Sequence, residues 1–218
     1  MLATLLVFAI ASCDGSSGVK QAEDDLSKSL GTIKSLNMEM IDEVMETGVR
    51  AMPDAGAQLA QLESLGIDID KVFQIVIAYF SRFDYKVRSS KMDGSFAVVT
   101  VDITSIDATS LVTKLVSKFT QFSGMLNQGQ PEPEAIATIL DELVVIFTDS
   151  SLKAKTTKCD FRMKLVDGVY IPILDEGNIN ALTGGAVSYA RVAGMGGQLD
   201  EIFQMLENYQ IQMYEQSE

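Results

Sequence analysis

The chain has 218 residues, 47% of them hydrophobic, and carries 17 Lys and Arg against 30 Asp and Glu, for a formal net charge of −13. That length can bury a full core in one domain, or in one domain with an appendage, and that charge repels phosphate backbones and anionic headgroups, so nucleic acid is not an expected partner. The sequence contains no His and no Trp, which excludes Ser-His-Asp, Cys-His and His-metal mechanisms by composition.

Residues Leu2 to Ala11 are uncharged and almost wholly apolar, a run of the length of a signal-peptide core and too short to cross a bilayer. The run closes on Ile10-Ala11-Ser12-Cys13 and gives way to Asp14-Gly15-Ser16-Ser17-Gly18. It resembles the lipobox of bacterial lipoproteins, in which the Cys is diacylated and becomes the first residue after cleavage. The resemblance implies a signal peptide over 1–12, a lipid such as palmitate on Cys13, a tether over 13–18, and a body held at the extracytoplasmic face of the cell membrane. The other reading of the run is a buried N-terminal helix with an incidental Cys.

From Val19 to Leu36 the apolar residues Val19, Ala22, Leu26, Leu30 and Ile33 recur at helical spacing with charges opposite, which predicts a long amphipathic helix. Met38 to Gly48 continues helical, Pro53 breaks the chain, and Ala57 to Ser64 is a short Ala-rich helical stretch. Lys71 to Phe80 is apolar nearly all round and is expected to be buried on most sides, with Asp70 as its N-cap. Between Phe83 and Ile106 the period drops to two: Phe83, Tyr85 and Val87, then Ala97, Val99, Val101 and Ile103, with Asp93-Gly94 between them. This predicts a hairpin. Asp107 caps a helix predicted over 108–126, Asn127 to Pro133 is a loop, and Pro133 starts a helix running to Thr148. A second hairpin is predicted from Thr156 to Ile173, with Cys159, Phe161, Met163 and Leu165 inward and Asp167-Gly168 at the turn. Ile179 to Leu182 is a short helix stopped by Gly184-Gly185, that pair and the stretch with Gly194, Gly196 and Gly197 are expected to be flexible connectors, and Leu199 to Tyr209 is a last amphipathic helix.

The lipobox IASC, the strand DYKVRSSKMDG followed by FAVVTVDIT, and NINALTGGA at 178–186 resemble the small lipoproteins of Gram-positive gut bacteria. Those lipoproteins carry a domain of unknown function of the nuclear-transport-factor-2-like, or cystatin-like, type. The fold class expected is therefore α+β: a curved four-stranded antiparallel sheet of two hairpins packed against several helices, forming a cone whose interior can be a pocket. The domain would span 19–185, with 186–218 as a C-terminal helical extension. The resemblance implies no catalytic residues.

Enzymes sharing that cone, such as ketosteroid isomerases, set an Asp or His base and Tyr or Asp donors in an apolar cavity. Tyr79, Tyr85, Asp84, Asp102 and Tyr170 are the candidates here. Strand parity puts Tyr85 on the core face and Asp84 and Asp102 on the other, which separates base from pocket. Asp68-x-Asp70 lacks the further oxygen ligands and the Gly of a calcium loop, and neither glycine cluster precedes the Lys-Ser/Thr of a phosphate loop. Cys159 is expected to be a buried thiol, and no cofactor, metal or disulfide is expected. The function expected is a membrane-anchored, non-catalytic binding module taking a small apolar ligand in the cone or a protein partner. The alternatives are a scaffold whose cone is filled by its own side chains and a ketosteroid-isomerase-like enzyme.

Overall fold

The computed structural model describes residues 18–43, 61–126 and 133–215. Cys13, the apolar run before it, the tether up to residue 17, Pro53 and the 127–132 loop lie outside the described residues, as do the part of the predicted helix beyond residue 43 and the start of that predicted at 57–64; Gly18, expected in the tether, is the first residue of a helix. In chain order the elements are α1 (Gly18–Lys34), α2 (Ile69–Phe80), β1 (Asp84–Asp93), β2 (Phe96–Ile106), α3 (Ala108–Leu126) and α4 (Pro133–Thr148). They continue with β3 (Ala154–Val166), β4 (Val169–Ile173), α5 (Glu176–Leu182), α6 (Ala186–Val192) and α7 (Gly196–Glu215). The fold is α+β, and its elements fall into two compact units. The described residues of the first are 18–35, 83–108 and 154–215, and those of the second 36–43, 61–82, 109–126 and 133–153.

The first unit is built on one antiparallel sheet in the order β1-β2-β3-β4. Its register sets Ala97 opposite Met163, Val99 opposite Phe161 and Val101 opposite Cys159, so the period-two residues of both predicted hairpins share one face. Helix α1 covers that face with Ala22, Leu26, Leu30 and Ile33, spaced to form a single stripe, all four buried. The opposite face is polar and makes cross-strand pairs in water. Arg88 binds Asp102 at 2.6 Å, Thr100 donates to Asp160 at 2.6 Å, and the Arg162 guanidinium sits 4.4 Å above the Phe96 ring. Val98 lies on this outer face yet is buried, because its cross-strand partners are Lys91 and Arg162, whose aliphatic stems cover it.

Both turns use the glycines expected of them. Val166 pairs with Val169, leaving Asp167 at φ 50° and Gly168 at φ 84°, the two positive values of a tight hairpin that matches strand twist. In the first hairpin the paired ends are Asp93 and Phe96, so the turn is Gly94-Ser95 and Asp93 belongs to the strand. Only Gly94 is left-handed there, at φ 63°, the pattern of a turn that wants Gly at its first central position. Leu165 departs from the expected burial and is 48% exposed. The ladder between β2 and β3 ends at Phe96–Lys164, so Leu165 has a neighbouring strand on one side only.

In the second unit α4 begins at Pro133, the position predicted, where a missing N–H costs no helical bond. The N-cap of α2 is Asp68, whose carboxylate accepts from Lys71 N at 3.2 Å; Asp70 sits in the first turn instead. Of the apolar residues of α2 only Phe73, Ala78 and Phe80 are buried, fewer than its all-round apolar sequence predicts. Among the described elements its main partner is helix α4, and one neighbour shields one side. Lys71 pairs with Asp141 at 2.5 Å and Lys118 with Glu142 at 2.8 Å. The Arg82 guanidinium donates to the Asp149 carbonyl at 2.7 Å and also to that of Leu152, closing the C-terminal end of α4.

The Gly184-Gly185 step, expected to be a flexible connector, is buried and fixed. Both residues are left-handed, at φ 54° and 95°, and Ala108 N donates to the Gly184 carbonyl at 3.0 Å. A Cβ on Gly184 would stand 1.8 Å from the Ile106 carbonyl oxygen, whereas one on Gly94 would meet nothing within 4 Å. Gly184→Ala therefore combines overpacking with forced positive φ and is expected to destabilise by about 3 kcal/mol or more. Gly94→Ala carries the conformational cost alone, about 1 kcal/mol. Urea unfolding of the two variants measures the difference, and equal midpoints would contradict the close approach at Gly184.

Candidate functional site

The end of β4 is where the C-terminal helices gather. Ile173 leaves the sheet, Leu174 turns inward, and Asp175 opens α5 with a reciprocal cap. Asp175 accepts from Asn178 N at 2.8 Å while the Asn178 side-chain oxygen accepts from Asp175 N at 3.2 Å. That exchange satisfies two helix-end donors and pre-sets the direction in which α5 departs. The side-chain nitrogen of Asn178 then reaches back to the Asp160 carbonyl at 2.8 Å, tying the start of α5 to β3.

Two polar contacts hold α6 and α7 over this point. Gln210 of α7 is buried, accepts from Leu174 N at 2.8 Å and donates to the Leu174 carbonyl at 3.0 Å, so its amide pairs with the backbone as a neighbouring strand would. Arg191 of α6 binds both carboxylate oxygens of Glu176 at 2.5 Å and Asp200 of α7 at 2.9 Å. These bonds lower the pKa of Glu176 and raise that of Arg191, as expected of a bidentate charge-assisted pair. Between the contacts lies a groove of about 570 Å³, within the range of sites that take small molecules or a few side chains of a partner. Its apolar wall is Ile173, Leu174, Phe203 and Ile211, and its charged groups are Asp175, Glu176, Asp200 and Glu207 with Arg191.

The candidates read from the sequence fall in both units, and those of the first unit do not converge. Tyr79 belongs to the second unit, where burial pushes its hydroxyl up to about 12 and its ring packs 5.9 Å from Phe147. In the first unit Tyr85 donates to the Ser27 carbonyl at 2.9 Å under α1, and Tyr170 is buried on the same side of the sheet. On the other side Asp84 is held by Lys34 at 2.6 Å and Asp102 by Arg88. The separation expected from strand parity is what the register gives.

Nor is the covered side of the sheet open. Val99, Val101, Ile103, Phe161 and Met163, with Leu26 and Leu30 above them, have no area exposed to water, so that layer is packed to interior density. Cys159 lies on the same side, half-buried. Desolvation pushes its thiol up to about 12, against a hydrogen bond from Asn178 that pulls the other way. Among the described residues no group of three or more Cys, Asp and Glu side chains could hold a metal ion. A second, open hollow of about 370 Å³ next to Gly66 is lined by Glu63, Asp68 and Asp70, but there the Asp68 carboxylate already serves as the cap of α2.

Sequence reasoning missed the groove because it missed α6, whose residues lie in the presumed connector. Two signals were present: Asp175 and Asn178 stand at capping-box spacing, and Arg191 is the single Lys or Arg between residues 165 and 218. No protein-family model, curated protein or solved structure matches this chain.

The thiol chemistry of Cys159 is open to measurement. With Cys13 replaced by Ser, Cys159 is the single thiol. At about pH 8 its alkylation by iodoacetamide in the folded protein should be at least a hundredfold slower than in urea, since the thiolate fraction falls about tenfold per unit of pKa. Because folding raises this pKa, the unfolded chain loses its proton first. Stability should therefore decline as pH rises above the ordinary thiol value of 9.0 toward about 12. Equal labelling rates would refute the desolvated thiol.

Proposed function

We propose that this chain is a lipid-anchored, extracytoplasmic, non-catalytic binding module that takes its partner on the outside of the fold, in the C-terminal groove. The groove is the observation that carries the reading, since it combines an apolar wall with fixed charges at the junction of four elements. The packed layer under α1 supports a surface site over a ligand inside the cone. It also favours the scaffold reading for the sheet body, which would then serve to display the groove.

Support for the anchor comes from Cys13 at the end of its apolar run, the pattern shared with bacterial lipoproteins of the nuclear-transport-factor-2-like type. Among the described residues no helix is long and apolar enough to cross a membrane. Two acyl chains on Cys13 would bury roughly thirty methylenes at about 0.8 kcal/mol each, enough for stable attachment where one myristoyl chain is marginal. The net charge of −13 would hold the body off an anionic leaflet.

Cys13→Ser tests the anchor. Expressed from its full start in a lipoprotein-processing bacterium, the parent should incorporate labelled palmitate and partition into the detergent phase after phase separation, while the Cys13→Ser protein should do neither. A parent protein found in the cytosol with residues 1–12 intact and no label would end this reading.

A further inference from the structure

We infer that the C-terminal groove docks a cationic amphipathic segment of a partner protein, one that sets an apolar side chain on the groove wall and Lys or Arg side chains on its rim. This specifies the partner class of the proposed binding module and rests on the groove being its site, but not on the lipid at Cys13.

The charges select the partner. Of the ionisable groups lining the groove, four are carboxylates and one is a guanidinium: Asp175, Glu176, Asp200 and Glu207 against Arg191. Arg191 is already engaged by Glu176 and Asp200, so the surplus is negative, and Glu207 stands exposed on the rim. A concave, partly apolar site focuses that field, which draws cationic groups and repels anionic ones.

The wall selects the amphipathic character. Phe203 and Ile211 line the groove together with Ile173 and Leu174, and two turns of α7 between positions 203 and 211 offer room for one or two apolar side chains. Polyamines and simple metal cations would satisfy the rim and leave this wall uncovered. A second copy of the chain is disfavoured, since residues 192–218 carry Asp200, Glu201, Glu207, Glu215 and Glu218 and no Lys or Arg. Pairing that helix with its own image would oppose like charges. The exposed residues Ile202, Met205 and Tyr209 project from the other side of α7, half a turn from the groove-lining set, and take no part.

The probes are three fluorescein-labelled peptides of about fourteen residues: one of Leu and Lys at amphipathic helical spacing, its Leu/Glu counterpart, and a Ser/Lys peptide of equal charge. Anisotropy titrations use the full-length chain carrying Cys13→Ser, so that lipid contributes nothing and failure of the anchor reading is scored separately. The Leu/Lys peptide should bind, and the Leu/Glu and Ser/Lys peptides should bind at least tenfold more weakly. Asp200→Asn with Glu207→Gln should weaken the Leu/Lys peptide about tenfold, and Ile211→Ser about fivefold. Asp24→Asn with Glu201→Gln removes the same charge from exposed positions outside the groove and should leave binding unchanged, with far-UV melting establishing that every variant is folded. Equal weakening by the two double variants would reduce the effect to the overall acidity of the protein and overturn the inference. So would failure of the Leu/Lys peptide to bind, or binding of the Ser/Lys peptide as tightly as the Leu/Lys peptide.

Discussion

The five-residue strand β4 is an edge strand, and the first unit depends on how its outer side is closed. The outward-facing backbone positions are Tyr170 and Pro172 of β4 and Leu174 just after it, and each is closed by a different device. Tyr170 N donates to the Asp25 carboxylate of α1 at 2.9 Å, Pro172 has no N–H to offer, and Leu174 N donates to Gln210 of α7 at 2.8 Å. Gln21 adds a bond to the Gly168 carbonyl at 2.5 Å. An edge with no free donor cannot template another strand, and the closure fixes two helices from opposite ends of the sequence. Asp25 bears the cost of this arrangement, since it is buried. Among the described residues its second oxygen finds only the exposed Lys28 at 3.6 Å, so the Tyr170 N–H is the bond that compensates its desolvation. The other edge, β1, needs no cover. It carries Lys86 and Lys91, and it bulges between Val87 and Ser89, which twists it away from flat pairing.

Much of this fold was legible because its local signals and its tertiary contacts agree. The stripe on α1, the alternation in β2 and β3, Asp167-Gly168 and Pro133 each have a local cause that the structure preserves. Where reading failed, two local solutions were equally good or the decisive contact was remote. Asp68 and Asp70 both precede an apolar helix, and the choice fell to the residue whose backbone is extended, at φ −75° and ψ 108°. Gly184 reads as a breaker in sequence, yet its necessity comes from the Ile106 carbonyl, far away along the chain. Leu165 obeys the alternation and still meets water, because burial depends on where the neighbouring strand ends.

The candidate site was less legible than the fold for a related reason. Its walls come from β4, α5, α6 and α7; α7 supplies Asp200, Phe203, Glu207, Gln210 and Ile211, while each of the other segments supplies only one or two of the groups that matter. Of the residues that did stand out, Tyr85, Asp84 and Asp102 were correctly assigned to faces, and that assignment is what keeps them apart. Parity is thus informative in the negative: a period-two strand cannot bring consecutive residues to one pocket. Cys159 shows the same logic within one side chain, since the position that packs it under the helices also desolvates its thiolate.

The two contacts that hold α7 respond differently to the medium, and this gives the groove a direction of movement. Gln210 and the Leu174 backbone are neutral and buried, so neither salt nor pH weakens their pairing. The Arg191 cluster is exposed to solvent and charged, so salt screens it. The Glu176 part of its contribution is present above the ordinary carboxylate pKa and is lost as pH falls through the lowered value it has in the fold. Acid or salt therefore releases the Arg191 end of the groove first, with Gln210 as the pivot. The carboxylates freed at that end are the ones a cationic side chain would meet, so a partner that competes for Glu176 and Asp200 acts on the same weak point.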